Sequence, residues 1–228
     1  NNMLGVIVNT VAVIIGGLAG LIFNKAVPER IVKAVMIGIG LCTVYIGIAG
    51  MLKGENTLIL IISMVLGAII GTLLDIDAGI TKVGGFLSSR FRKPGEKSSI
   101  TEGFVTASLI FCVGPMTIVG SLTSGLTGNH ETIFTKSLLD LITSVMLAAS
   151  LGYGVIFAAV FVFVFQGAIV LMATTLQPLL NNHAIAEMTC AGAVIILALG
   201  LNILGLSKFK VANYLPAIVL APLLAQFM

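Results

Sequence analysis

This sequence has little charge. Only 9% of its 228 residues are Asp, Glu, Lys or Arg, while 58% are hydrophobic. A soluble domain of this size cannot hide that much apolar surface, and with a mean hydropathy of +1.15 the chain reads as a single polytopic membrane domain over 1–228. Cysteine is also scarce. Cys42, Cys112 and Cys190 all fall inside apolar runs, where a small hydrophobe is expected and a disulfide framework is not. Histidine occurs twice, as His130 and His183 in separate polar stretches, which leaves no companion ligands for a metal. A phosphate-cradling glycine loop, HExxH, GxSxG and paired aspartates in facing spans are all missing, so an ATP-driven engine or an intramembrane hydrolase has no machinery here and no cofactor is implied.

What is present is a series of apolar runs. A helix needs about 20 residues to cross the hydrocarbon layer, and the spacing predicts an all-α bundle of eight spans over 3–23, 31–52, 57–74, 102–122, 132–150, 153–178, 185–206 and 211–227. The sixth run is long enough to tilt or to bend at Gln177-Pro178. Asn1 and Asn2 ahead of Met3 read as additions, and the first run, without a basic leader or a small-residue cleavage site, reads as a span rather than a removed signal.

With eight crossings, Lys25, Arg30, Lys33, Lys82, Arg90, Arg92, Lys93, Lys97, Lys208 and Lys210 share one side, and only Lys53 and Lys136 take the other. The positive-inside rule makes the rich side cytoplasmic and both termini external. These basic residues flank helices without aromatic interleaving, so they signal topology rather than nucleic acid. In the long loop 75–101, Ile80, Val83, Leu87 and Phe91 recur at helical spacing among basic residues, which suggests an amphipathic helix on the inner leaflet; Gly84-Gly85 opposes it.

"PERIVKAV" (28–35) resembles "HETIFTKSL" (130–138), and "GAIIGTL" (67–73) resembles "GAIVLMA" (167–173). Three-span units at 3–74 and 102–178 around a one-sided loop would form an inverted repeat, with 185–227 as two further spans. Gly16/Gly20 and Gly67/Gly71 have GxxxG spacing, which serves helix packing within a chain first and a homodimer face second.

Polar groups inside lipid are costly and point to function. From the predicted spans, Asn9, Tyr45, Pro115, Asp140 and Gln166 all lie about 9 to 12 Å from the outer edge of the hydrocarbon. Pro115 lacks an N–H and so frees the Phe111 carbonyl, Gly114 gives the backbone room to bend, and Thr117 brings a hydroxyl close by; a helix broken here would offer main-chain groups to a ligand. Lys136 is one turn from Asp140. A neutralising pair is one expectation, and snorkelling of Lys136 to the outer surface, leaving Asp140 to a proton or a cation, is the other. Glu102 and Glu187 read as interfacial carboxylates, and Asn213 as the cap of the last span.

The segments "VGPMTIVGSL" (113–122), "LLDLITSVMLAASLGYGV" (138–155), "VANYLPAIVLAPLL" (211–224) and "GVIVNTVAVIIGGLAGL" (5–21) resemble the YqgA/YdfK-like family of bacterial inner-membrane proteins, a domain of unknown function. The resemblance covers essentially the whole chain and supplies no established ligand residues. On the residues alone, the leading expectation is a secondary carrier of a small solute coupled to H⁺ or Na⁺. Asp140 would take the ion, the Phe111–Pro115 backbone would help coordinate it, and Asn9, Gln166 and Tyr45 would orient the solute. An oligomeric channel with Asp140 as a ring charge, and a purely structural membrane protein, stand as alternatives.

Overall fold

In a computed structural model every regular element among the described residues, which are 2–26, 28–79, 82, 100–112 and 115–228, is a helix. The helices are α1 (Leu4–Ala26), α2 (Glu29–Met51), α3 (Thr57–Leu73), α4 (Ile100–Cys112), α5 (Pro115–Thr127), α6 (Glu131–Leu151), α7 (Gly154–Leu171), α8 (Ala173–Leu176), α9 (Asn182–Ile203) and α10 (Pro216–Leu224), with a 3₁₀ turn at Val211–Tyr214 before the last. The amphipathic helix expected within 75–101 falls almost wholly outside the described residues.

Local chemistry explains several boundaries. Asn56 opens α3 by accepting the Leu58 N–H at 3.0 Å, and Asn181 opens α9 by accepting the Ala184 N–H at 2.8 Å. At the far end of α9, Gly205 adopts φ +73°. Its N–H reaches the Asn202 carbonyl and the Leu206 N–H reaches back to Leu201, the paired closure that a left-handed residue permits. The sixth apolar run ends sooner than its length suggested: α7 stops at Leu171, and short α8 follows before Gln177-Pro178.

Among the described residues, five helices are long and apolar enough to cross a membrane: α1 over Leu4–Phe23, α2 over Lys33–Met51, α6, α7 and α9. The α4–α5 pair, bent by 61°, supplies a sixth if it is one span, while Thr57–Leu73 and Val211–Leu224 are shorter apolar helices. Exposure follows the logic of a lipid solvent. On α1, Val11, Ile15, Leu18 and Ile22 recur at helical spacing and are exposed, whereas Asn9 is fully buried between Val6 and Val13 on the opposite stripe.

The chain forms two compact units. The first comprises 1–35, 81–112 and 116–174; the second comprises 36–80, 113–115 and 175–228. In the first, α1 packs along α6 and also on α7, and α4 packs on α7. Gly16 and Gly20 make the α1–α6 approach close, because a Cβ at either would strike the carbonyl oxygen of Leu141 or Val145. In the second, α3 packs against α10 and the 3₁₀ turn, and α9 against α10. Gly71 lies against the Asn213 carbonyl oxygen and Gly67 against Ala217, while Gly47 and Gly50 let α2 approach Leu197 and Ala193 of α9. Both GxxxG faces are therefore occupied within the chain, and the homodimer face expected on the same glycines is already covered by the chain's own helices.

Candidate functional site

The polar cluster of the first unit is built on three helices. Asn9 of α1 and Gln166 of α7 are completely buried, and Asp140 and Lys136 of α6 are 4% and 7% exposed. The Asn9 side-chain amide donates both protons, one to Asp140 Oδ2 at 3.1 Å and one to Gln166 Oε1 at 3.1 Å. The carboxylate fixes the orientation of both amides: it accepts only, so Asn9 must present Nδ2 to it, and Gln166 must then present its oxygen to Asn9. Two atoms are left over. Asn9 Oδ1, an acceptor, and Gln166 Nε2, a donor, are buried without a partner. Such orphans are rare in folded proteins, and each calls for an explanation, an ordered water or an ion among the ordinary ones.

Lys136 does not snorkel. Its Nζ lies 2.7 Å from Asp140 Oδ1 and 2.8 Å from Oδ2. One helical turn stacks the two side chains, and away from water the attraction of the carboxylate exceeds what the ammonium gains by reaching for the surface. The expectation of an Asp140 open to a proton or cation is corrected accordingly: in this conformation the site is a neutral ion pair with amides on its flank. One turn further along α6, Ser144 Oγ donates to the Val13 carbonyl at 2.7 Å and ties α6 to α1 again.

The helix interruption is present as a bend between α4 and α5, but its freed carbonyl is not open. Thr117 Oγ1 donates to the Phe111 oxygen at 2.9 Å, and both residues are buried. A hydroxyl two residues beyond the proline replaces the missing N–H, which is the way broken helices satisfy themselves in lipid. Pro115 is the first residue of α5, where a missing N–H costs least; Gly114 lies outside the described residues. Of the expected residues, then, Asn9, Asp140 and Gln166 are joined by hydrogen bonds, and Thr117 pairs with Phe111. Tyr45 takes no part in either set: it belongs to the second unit and is 71% exposed on α2.

In the second unit the consequential polar residues were not evident beforehand. Glu187, expected at an interface, is 1% exposed, and its Oε1 accepts the N–H groups of Glu55 and Asn56 at 2.6 and 2.8 Å, so it pins the turn ahead of α3. Asn213 does not cap the last helix as expected; it accepts the Asp77 N–H at 2.8 Å. Asn202 clamps the segment after α9, accepting from Ser207 Oγ at 2.7 Å and Phe209 N–H at 2.9 Å and donating to the Phe209 carbonyl at 2.8 Å. The only advance signal was a polar residue near the end of an apolar run. Among the described residues no group of three His, Cys, Asp or Glu side chains is placed to hold a metal.

Long apolar helices with lipid-facing hydrophobic surfaces and inward polar groups define a multi-pass helical membrane protein. Comparison with known proteins places it more closely. The family described as "Protein of unknown function (DUF554)" matches residues 4–226, and the chain belongs to that family. It is 34% identical over 224 residues to the "Uncharacterized membrane protein YdfK" of Bacillus subtilis (strain 168), covering 96% of this chain and 94% of the relative. It is 31% identical over 223 residues to the "Uncharacterized protein YqgA" of Escherichia coli (strain K12), with the same coverage. No solved structure matches.

Proposed function

We propose that the chain is a secondary carrier that moves a small polar solute across the bacterial inner membrane in exchange for, or together with, H⁺ or Na⁺. One observation carries this proposal: the fully buried Asn9–Gln166 amide pair, flanked by the Lys136–Asp140 ion pair, leaves one acceptor and one donor open inside a membrane domain. Keeping a lysine and a carboxylate inside lipid is expensive, and residues so placed are usually functional. The coupling cation would compete with Lys136 for Asp140, and the solute would satisfy Asn9 Oδ1 and Gln166 Nε2. The pair then acts as a lock that cation binding opens.

The topology belongs to the same proposal. The five long helices, the bent pair and the two shorter apolar helices would make eight crossings, with the basic loops cytoplasmic and both termini outside. The inverted repeat of 3–74 and 102–178 belongs to this proposal as a relation of topology only, since α1 packs with α6 and α7 while α3 packs with α10, and the repeats do not coincide with the two compact units. Cysteines introduced at Glu131 and at Lys208 should label from opposite sides of sealed cells; labelling from one side overturns the arrangement.

The carrier itself is tested by thermal unfolding of purified protein across a Na⁺ series, a pH series and a panel of small amides, amino acids and organic anions. A solute that raises the melting temperature of the native chain should do so less with Gln166→Leu, and its effect should depend on Na⁺ or pH only while Asp140 is intact. A structural role is the second reading, favoured by the ion pair's own saturation. If neither solute nor cation separates the native chain from Gln166→Leu and Asp140→Asn, that role replaces the carrier.

A further inference from the structure

The second unit carries an apolar cavity of about 190 Å³, lined by Met64 of α3, Val194 and Ala198 of α9, and Phe209, Val211 and Tyr214 of the segment that follows. It is smaller than a typical metabolite pocket and offers almost no polar group. The segment that rims it is held rigidly: the three hydrogen bonds of Asn202 fix Ser207 and Phe209, and Phe209 remains 51% exposed while lining the space. Lys208 and Lys210 flank that phenylalanine, and both are exposed. Among the described residues neither is in an ion pair.

A preformed apolar slot in a membrane-spanning protein, with two exposed lysines next in sequence to the lining residues Phe209 and Val211, matches an amphiphile with an anionic head. We infer that this groove is a binding site for an anionic phospholipid. One acyl chain lies along Met64, Val194 and Ala198, and the phosphate is held between Lys208 and Lys210. The long lysine stems can follow apolar surface while the ammonium groups meet the headgroup, and basic clusters at the end of a membrane helix attract anionic lipid in this way. Because Asn202 has already ordered the segment, little conformational freedom is lost on binding.

The experiment is native mass spectrometry and thermal unfolding of the detergent-purified full chain with added phosphatidylglycerol, phosphatidylcholine or glycerol 3-phosphate. Phosphatidylglycerol should be retained preferentially and should raise the melting temperature by about 3 °C or more; phosphatidylcholine and the tail-less phosphate should do much less. Lys208→Gln/Lys210→Gln should weaken phosphatidylglycerol retention about tenfold or more, and Ala198→Phe should abolish it by filling the slot. Circular dichroism and size exclusion establish that each variant is folded. Equal retention of the two lipids overturns the site, as does an equal effect of glycerol 3-phosphate. If Ala198→Phe instead changes the oligomeric state without altering lipid retention, the groove belongs to a second copy of the chain and the lipid assignment fails.

Discussion

The two compact units share one device, glycines that let helix backbones meet, as Gly16 and Gly20 do in the first and Gly67 and Gly71 in the second. They differ in what else fills the interior. The first fills its centre with Asn9, Thr106, Ser108, Thr117, Ser121, Lys136, Asp140, Ser144, Ser150 and Gln166, all buried. The second brings backbones together through Gly47, Gly50, Gly67 and Gly71, and its few buried polar groups each hold a turn or return to their own helix. Orphans follow the same division. Among the described residues, Asn9 Oδ1, Thr106 Oγ1, Ser108 Oγ, Ser121 Oγ, Ser150 Oγ and Gln166 Nε2 lie in the first unit, against Glu187 Oε2 alone in the second. A glycine interface is fixed by shape and has one good arrangement. An interior with spare donors and acceptors can trade partners, which is what the proposed carrier would require.

The sharpest way to break this contrast is Lys136→Met. It leaves the Asp140 charge buried and unpaired, and should cost about 3–5 kcal/mol in detergent unfolding, whereas Lys136→Met combined with Asp140→Leu should recover most of the loss. If the single variant is as stable as the native chain, the first unit is wetter than its burial implies. Next comes Gly71→Val in the second unit. Its Cβ would meet the Asn213 carbonyl, and about 3 kcal/mol of stability should be lost, with Gly71→Ala intermediate. Glu187→Leu strands the Glu55 and Asn56 N–H groups and should cost about 2 kcal/mol, while Glu187→Gln, still able to accept, should cost about half as much. The smallest effect is expected from Ser144→Ala, about 1 kcal/mol for one hydroxyl bond between α6 and α1. A reversed order, with Ser144 costing more than Gly71, would mean that polar contacts rather than close packing hold both units.

Membrane character, helical class and the meeting of Asn9, Asp140 and Gln166 were legible because each depends on counting residues along a helix. Asn9, Asp140 and Gln166 were predicted at one depth and are joined by hydrogen bonds. What the sequence did not reveal was where each side chain turns. Snorkelling or pairing of Lys136 depends on a local contest between water and carboxylate that spacing leaves open, and the Thr117 hydroxyl reaches Phe111 only because the helix bends between them. Tyr45 shares the predicted depth, but depth does not assign it to a unit. The clamps at Glu187, Asn202 and Asn213 escaped notice because their partners are main-chain groups, which a list of side chains cannot display.

Asn9 has a consequence for biosynthesis. Its two partners lie 131 and 157 residues further along the chain, so at ordinary translation speeds it waits about 8 to 30 s before Gln166 is even made. Throughout that interval the amide of the first helix lacks at least one of the two partners it has in the folded chain. Chains halted between α1 and α6 should therefore be recognised and degraded by membrane quality control, and Asn9→Leu should prolong the life of those fragments while weakening the finished protein.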